Sequence, residues 1–243
     1  MTPVQPRVNI LGVPVDVVTR DEAVARLVEW LGSGGQHHVA TPNPEMLVEA
    51  TKNPALFQVL NRTALNLPDG TGLLWAARRA GTPLRERVTG VDVMTRLCLT
   101  NAGKVFLLGA IPGVAEHAAA KLLEANPQLS IVGTFAGSPK PEHEEEIIRM
   151  INASGATLVF VAYGAPKQEL WIDRNLAKLP AVRVAMGVGG AFDFVSGLRK
   201  RAPAWMQNAG LEWLWRLLQE PHRLRRILTA TIMFPRLVSR ASR

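Results

Sequence analysis

Between residues 104 and 190, short apolar runs alternate with helix-like stretches, and this alternation constrains the fold more than any other feature. Residues 104–109 (KVFLLG), 130–135 (SIVGTF), 157–163 (TLVFVAY) and 182–186 (VRVAM) have the length and apolar content of buried strands. Between them, helices are predicted over 112–125, opened by Pro112 in a position that suits a first turn, over 142–152 with an acidic front, and over 166–179. Strand–helix–strand units of this kind cross over right-handedly and assemble a parallel sheet. The expected fold class is α/β, with a Rossmann-like parallel sheet core and helices on both faces.

The first hundred residues are less regular. Residues 9–18 read as a hairpin around a Gly-Val-Pro turn. A helix is predicted over 20–32, capped by Thr19 and favoured by Asp21 and Glu22 at its positive end. A strand over 38–41, helices over 44–52 and 54–61, and a strand over 64–67 follow, and the last ends in Pro68-Asp69-Gly70. His37 and His38, adjacent on a strand, are expected to point to opposite faces.

Charge divides the chain. The net charge is +8, yet residues 1–195 carry 18 Lys+Arg against 18 Asp+Glu. Residues 196–243 carry ten basic residues against two acidic ones, so the whole excess lies there. Two units are expected: a core over 1–195 and a basic appendage over 196–243. The appendage holds three of the six Trp, and helices are predicted over 204–219 and 222–234, interrupted by Pro221. Arg with interleaved Trp and Leu suits a helix lying on an anionic membrane surface. A docking helix whose Trp fill the core, and an Arg-rich RNA-binding helix, remain alternatives. No apolar run reaches the roughly 18–20 residues of a membrane span, and the N-terminus lacks a secretory pattern. A cytoplasmic chain, peripheral on the inner face of the membrane, is expected.

In an open parallel sheet, ligands bind beyond the C-terminal strand ends. Several polar or glycine-rich segments follow predicted strands there and nominate Thr41, Asn43, Asp69, Gly109, Gly164, Gln168, Gly187, Gly189 and Gly190. Asp69 reads either as a general base or as a turn residue bonding its own backbone. Thr41 and Asn43 either meet a sugar or nucleobase, or cap the next helix. Gln168 either reads a substrate hydroxyl or is a solvated surface side chain. Arg87, in a turn-like region, either binds diphosphate or pairs with Glu86. Asp193 either binds substrate or favours a helix start. Arg216, Arg223 and Arg226 are spaced to share a helix face. There is no G-x-G-x-x-G or P-loop fingerprint, which speaks against a nucleotide-dependent oxidoreductase. The lone Cys98 excludes a disulfide framework and suits a reducing compartment. The five His lack ligand spacing and no DXD pair occurs, so neither a metal nor another cofactor is expected.

Taken in order, TPNPE at 41–45, LPDGTG at 67–72, RVTGVD at 87–92, FLLG at 106–109, YGAPKQE at 163–169, GVGGAFDF at 187–194 and RAP at 201–203 resemble the WecG/TagA/CpsF glycosyltransferases, a likeness that runs from about residue 9 to 235. The resemblance implies an inverting, metal-independent transferase with a Rossmann-like core and a C-terminal membrane-targeting appendage. It implies a UDP-sugar donor, most often N-acetylmannosamine, with its uronic acid and glucose used by relatives. The implied acceptor is N-acetylglucosamine on undecaprenyl diphosphate, in teichoic acid or other surface-polysaccharide synthesis. By position, Asp69 resembles the catalytic base, Thr41 and Gln168 its partners, and Asn43 and Arg87 pocket residues. Arg216, Arg223 and Arg226 resemble the appendage arginines that meet diphosphate, and the turn at 187–190 approaches the nucleotide. No nucleic acid partner is implied, and a homo-oligomer is left open. The competing reading is a membrane- or RNA-associated binding protein with a degenerate Rossmann core.

Overall fold

A computed structural model of the chain describes residues 6–203, 205–206, 209–221 and 224–241. The expected strands form as β3 (His37–Ala40), β4 (Leu65–Asn66), β5 (Val105–Gly109), β6 (Ile131–Phe135), β7 (Leu158–Ala162) and β8 (Val184–Gly187). They make one six-stranded sheet in the order β4-β3-β8-β7-β5-β6, with every pairing parallel. The chain starts the sheet at β3, steps outward to β4, restarts at β5 and winds back until β8 lies beside β3.

Strand side chains alternate between two layers, as a period of two requires. Leu107, Phe160 and Met186 pack on one face with α1 (Arg20–Gly32), α5 (Gly90–Cys98), α6 (Val114–Ala125) and α9 (Ala191–Val195). Phe106, Leu108, Val159, Val161 and Ala185 pack on the other with α7 (Glu144–Ser154) and α8 (Lys167–Asn175). With both faces covered, β5, β7 and β8 are buried at every position. This is the doubly covered α/β core expected from the alternation.

The N-terminal hairpin, β1 (Arg7–Ile10) and β2 (Val13–Asp16), turns one step earlier than the Gly-Val-Pro reading. Leu11 and Gly12 both have positive φ, 53° and 83°, which matches the twist of a two-residue hairpin, and Pro14 lies within β2. Helices α2 (Pro44–Ala50) and α3 (Pro54–Arg62) stand where expected. Before residue 104, two helices have no counterpart in the sequence reading: α4 (Thr71–Arg79) and α5. Helix α4 starts at Gly70 without a capping side chain, and Gly72 weakens its first turn. Gly72 is needed because a Cβ there would meet Pro44 Cγ at 2.7 Å.

The appendage is more broken than expected. The long helix expected over 204–219 is interrupted: Trp205 and Met206 are helical, Gly210 takes a φ of 73°, and α10 (Glu212–Gln219) follows it. Then follow α11 (Leu224–Leu228), a π-helical turn (Thr229–Met233) and α12 (Phe234–Ala241). This last segment packs on the core in cis. Phe234 is 0 % exposed, among Leu47, Leu73, Ala76 and Val13. Ion pairs join the two parts: Glu212 to Arg87 at 2.8 Å, Arg201 to Asp92 at 2.5 Å, and Arg226 to Glu45 at 2.5 Å. The docking side chain is therefore Phe234, whereas Trp205 is 65 % exposed and Trp213 40 %.

Truncating the side chain that anchors the appendage tests how far core and appendage share stability. Phe234→Ala removes a fully buried ring and is expected to cost about 3–5 kcal/mol. The midpoint of urea denaturation falls accordingly, with folded-state far-UV circular dichroism unchanged.

Candidate active site

A cavity of about 290 Å³ opens at the C-terminal ends of β4, β3, β8 and β7, four neighbours in the sheet. Each strand runs directly into a loop that lines it, so sheet register sets the placement of the polar groups. Among the described residues its wall includes Thr41, Asn43, Asp69, Gly164, Gln168, Gly189 and Gly190 from the core, and Arg216 and Arg226 from the appendage. Nine nominated residues, far apart in sequence, thus meet at one concave surface.

Asp69 sits after β4, half-buried, with its backbone N–H bonded to the Pro42 carbonyl at 3.0 Å. No described residue donates a hydrogen bond to its carboxylate, so the turn role in which it bonds its own backbone does not occur. Burial pushes the Asp69 carboxyl up from 3.8 to about 6, against the pull of Arg216 and Arg87 and with a smaller push from Glu212 and Asp92. Such a group is mostly ionised at pH 7, about ten to one, yet is far more basic than an ordinary aspartate. A solvent-facing carboxylate without internal partners, tuned toward neutrality in a cleft, has the properties of a general base.

Its neighbours divide into structural and free groups. The Thr41 hydroxyl donates to the Gly187 carbonyl at 3.0 Å and so ties the end of β3 to the end of β8. Asn43 caps α2, accepting from the Met46 N–H at 2.9 Å, while also forming cavity wall. Gln168 is not a solvated surface residue: it is 1 % exposed. Its Oε1 accepts from the N–H groups of Gly164 and Gly189, each at 3.0 Å. Gly187 stands behind the wall, where a Cβ would strike Gln168 and Glu169. Gly109 is not part of the cavity wall either. Its φ of 106° and close approach to the Ala162 backbone make it a packing glycine at the end of β5.

Arg87 pairs with Glu212 rather than with Glu86, and through that pair it lies near Asp69 behind the wall. Glu86 instead accepts from the Arg20 backbone N–H. Arg216 stacks its guanidinium over Phe194, 4.8 Å from the ring centre, a cation–π contact that holds it over the cavity. Arg226 is held by Glu45. Arg223 lies outside the described residues. Asp193 sits in the first turn of α9 and pairs with Arg199 at 3.0 Å. Burial opposes ionisation of Asp92, but hydrogen bonds from Arg201 and Thr89 outweigh it and hold its carboxyl below the usual range. Among the described residues, no three His, Cys, Asp or Glu side chains converge as a metal would require.

The sequence reading missed Glu45, Phe194, Glu212 and Trp213, all of which line the cavity. Glu212 had a readable signal, since it stands four residues before Arg216 and therefore on the same helix face. Phe194 had none beyond its place in the GVGGAFDF segment, because its role is to carry a cation from another part of the chain.

Comparison with known proteins places this geometry. Residues 8–243 match the model of the glycosyl transferase WecG/TagA/CpsF family. A Bacillus spizizenii protein named N-acetylglucosaminyldiphosphoundecaprenol N-acetyl-beta-D-mannosaminyltransferase is 37% identical over 195 residues, covering 79% of this chain and 74% of the relative. A Staphylococcus aureus protein of the same name is 30% identical over 231 residues, covering 93% and 90%.

The raised Asp69 carboxyl also has a stability signature. The folded protein retains a proton there that the unfolded chain releases at a lower pH. This contribution is therefore fully present below about pH 4, is lost as pH rises through about 6, and stays absent above it. Asp69→Asn is expected to melt at a higher temperature than the native protein at pH 8, with the gap closing near pH 4 in parallel thermal scans.

Proposed function

Because the chain belongs to the WecG/TagA/CpsF glycosyltransferase family, we propose that it transfers N-acetylmannosamine from its UDP form to N-acetylglucosamine carried on undecaprenyl diphosphate. The observation that carries this reading is Asp69, a carboxylate without internal partners, poised near neutrality and facing two arginines across a cavity. In the reaction, Asp69 takes the proton of an acceptor hydroxyl as its oxygen attacks the anomeric carbon. The bond to UDP breaks on the opposite face, which inverts the configuration. Negative charge grows on the departing diphosphate, where Arg216, and the donors of Arg226 that Glu45 leaves free, can meet it with charge-assisted hydrogen bonds. Cations positioned in this way supply the charge stabilisation without a metal. At about 290 Å³, the cavity is at the small end of ligand clefts (roughly 300–1,000 Å³), so it takes the reacting end of the substrates and leaves the lipid outside.

The appendage carries the second half of the proposal, attachment to the inner face of the membrane. No described helix is long and apolar enough to cross a membrane. Exposed large apolar side chains nevertheless concentrate on this segment, including Trp205, Leu218, Leu224, Leu228 and Ile232. Lys200, Arg225, Arg236 and Arg240 are exposed there without an ion pair among the described residues. Apolar side chains that dip into the headgroup layer, flanked by cations, match an interfacial attachment. The degenerate-core alternative gains no observation, since the cavity keeps its carboxylate and cations.

Two measurements check these points. UDP release from UDP-N-acetylmannosamine is expected only when a lipid-diphosphate N-acetylglucosamine acceptor is present, unchanged by EDTA. Asp69→Asn is expected to lower that rate by about 10²–10⁴-fold. The double change Leu228→Glu, Ile232→Glu is expected to release the protein from phosphatidylglycerol vesicles in co-sedimentation, while turnover of a short-chain soluble acceptor persists.

A further inference from the structure

Directly beneath the cavity lies a charged side chain to which the transfer chemistry assigns no role. Glu169, the residue after Gln168 on α8, is 0 % exposed. Its Oε1 accepts from Gln168 Nε2 at 2.9 Å, and its Oε2 lies 2.7 Å from His38 Nε2 on β3. Gly187 makes room for this arrangement, because a Cβ there would come within 2.5 Å of Gln168 Nε2 and closer still to Glu169. A strand, a helix and two loops are thus linked through five polar groups in a row.

We propose that Glu169, steadied by His38, is the positioning residue that fixes the orientation of the Gln168 amide and with it the two glycine loops of the transfer cavity. A side-chain amide has one accepting end and one donating end, and in most settings the two can exchange by rotation. Here both ends are specified. The N–H groups of Gly164 and Gly189 can only donate, so the atom they converge on must be oxygen. That leaves the amide nitrogen facing Glu169, whose oxygens complete the match. Reversing the amide would set N–H against two half-buried N–H groups and, on the fully buried Glu169 side, oxygen against oxygen, where unmatched polar groups are costly. Gly164 and Gly189 have φ of 75° and 54°, conformations that neither the strands nor α8 enforce, so the shared oxygen holds both turns in place. Both turns line the cavity, and Gln168 itself reaches its wall. Glu169 touches no cavity surface, so its influence on transfer runs through Gln168.

The kinetic consequence rests on the transferase reading, whereas the amide lock itself does not. Glu169→Gln keeps the shape but lets the introduced amide, and then Gln168, turn either way. Its turnover is expected to fall about 10–100-fold, the range for small misplacements of reacting groups, with native circular dichroism. Amide hydrogen exchange at Gly164 and Gly189, read by NMR, is expected to accelerate at least about tenfold, while Val159 and Phe160 within β7 keep native protection. On the His38 side, His38→Gln retains a donor and is expected to stay within about threefold of native turnover, and His38→Phe is expected to fall with Glu169→Gln. Native turnover in Glu169→Gln, or native exchange at both glycines, overturns the proposal. So does unfolding of both Glu169→Gln and His38→Phe, which would make the role structural alone. If the native protein transfers no sugar, the function proposed above fails while glycine exchange still decides the lock.

Discussion

Pairing of β3 with β8, the first and last strands of the six-stranded sheet, is the constraint on which the site depends. Their parallel register sets His37 opposite Val184 and Val39 opposite Met186. It thereby brings the loop after residue 40 against the loop after residue 187, about 150 positions apart. The Thr41 hydroxyl on the Gly187 carbonyl closes that seam at the rim, and one layer below His38 ties β3 to Glu169 of α8. Slipping this pair by one residue would exchange the two sheet faces and carry every loop with it.

The electrostatics follow from what is paired and what is not. Most charges near the cavity are spoken for: Arg87 by Glu212, Arg226 by Glu45, and Asp92 by Arg201. Among the described residues, Asp69 alone of the wall carboxylates is held by no hydrogen bond or ion pair, and burial raises its affinity for a proton. Arg216 is held by the Phe194 ring and forms no ion pair among the described residues, and its charge acts on Asp69. Asp69 and Arg216 thus stay without an ion pair among the described residues, while their neighbours fix the frame around them. Arg87–Glu212, Arg226–Glu45 and Asp92–Arg201 each join a residue before position 196 to one after it, so the cavity wall draws on both parts of the chain.

Much of the sheet was legible because parallel strands buried on both faces read as unbroken apolar runs, as 105–109 and 158–162 do. Helices with strong starts were legible too: Thr19 forms a full capping box, and Asn43 caps a helix that opens with Pro44. Helix α4 was hidden because close packing on Pro44 demands glycine where a helix former would have marked it. The break at Gly210 was hidden because one positive φ interrupts an otherwise continuous amphipathic pattern. At the site, residue types and loop positions pointed to Asp69 and the glycine turns. Their partners did not follow, since Arg87–Glu212 and Arg216–Phe194 join segments that only the tertiary fold brings together. Gln168 illustrates the limit: nothing local distinguishes a surface amide from a buried one that holds two loops.

The π-helical turn at Thr229–Met233 sets a phase relation between the two sides of the appendage. A π turn holds more residues than an α turn, so it rotates everything after it relative to everything before. Before it, Leu224 and Leu228 face outward; after it, Phe234 and Val238 face into the core. The turn thus works as a gear offset, letting one amphipathic strip grip the protein while its continuation faces the surroundings. Straightening 229–233 into an α-helix with the same number of residues would remove that offset and turn Phe234 away from Leu73. Helix content would be conserved, yet the outward and inward faces would no longer be in step.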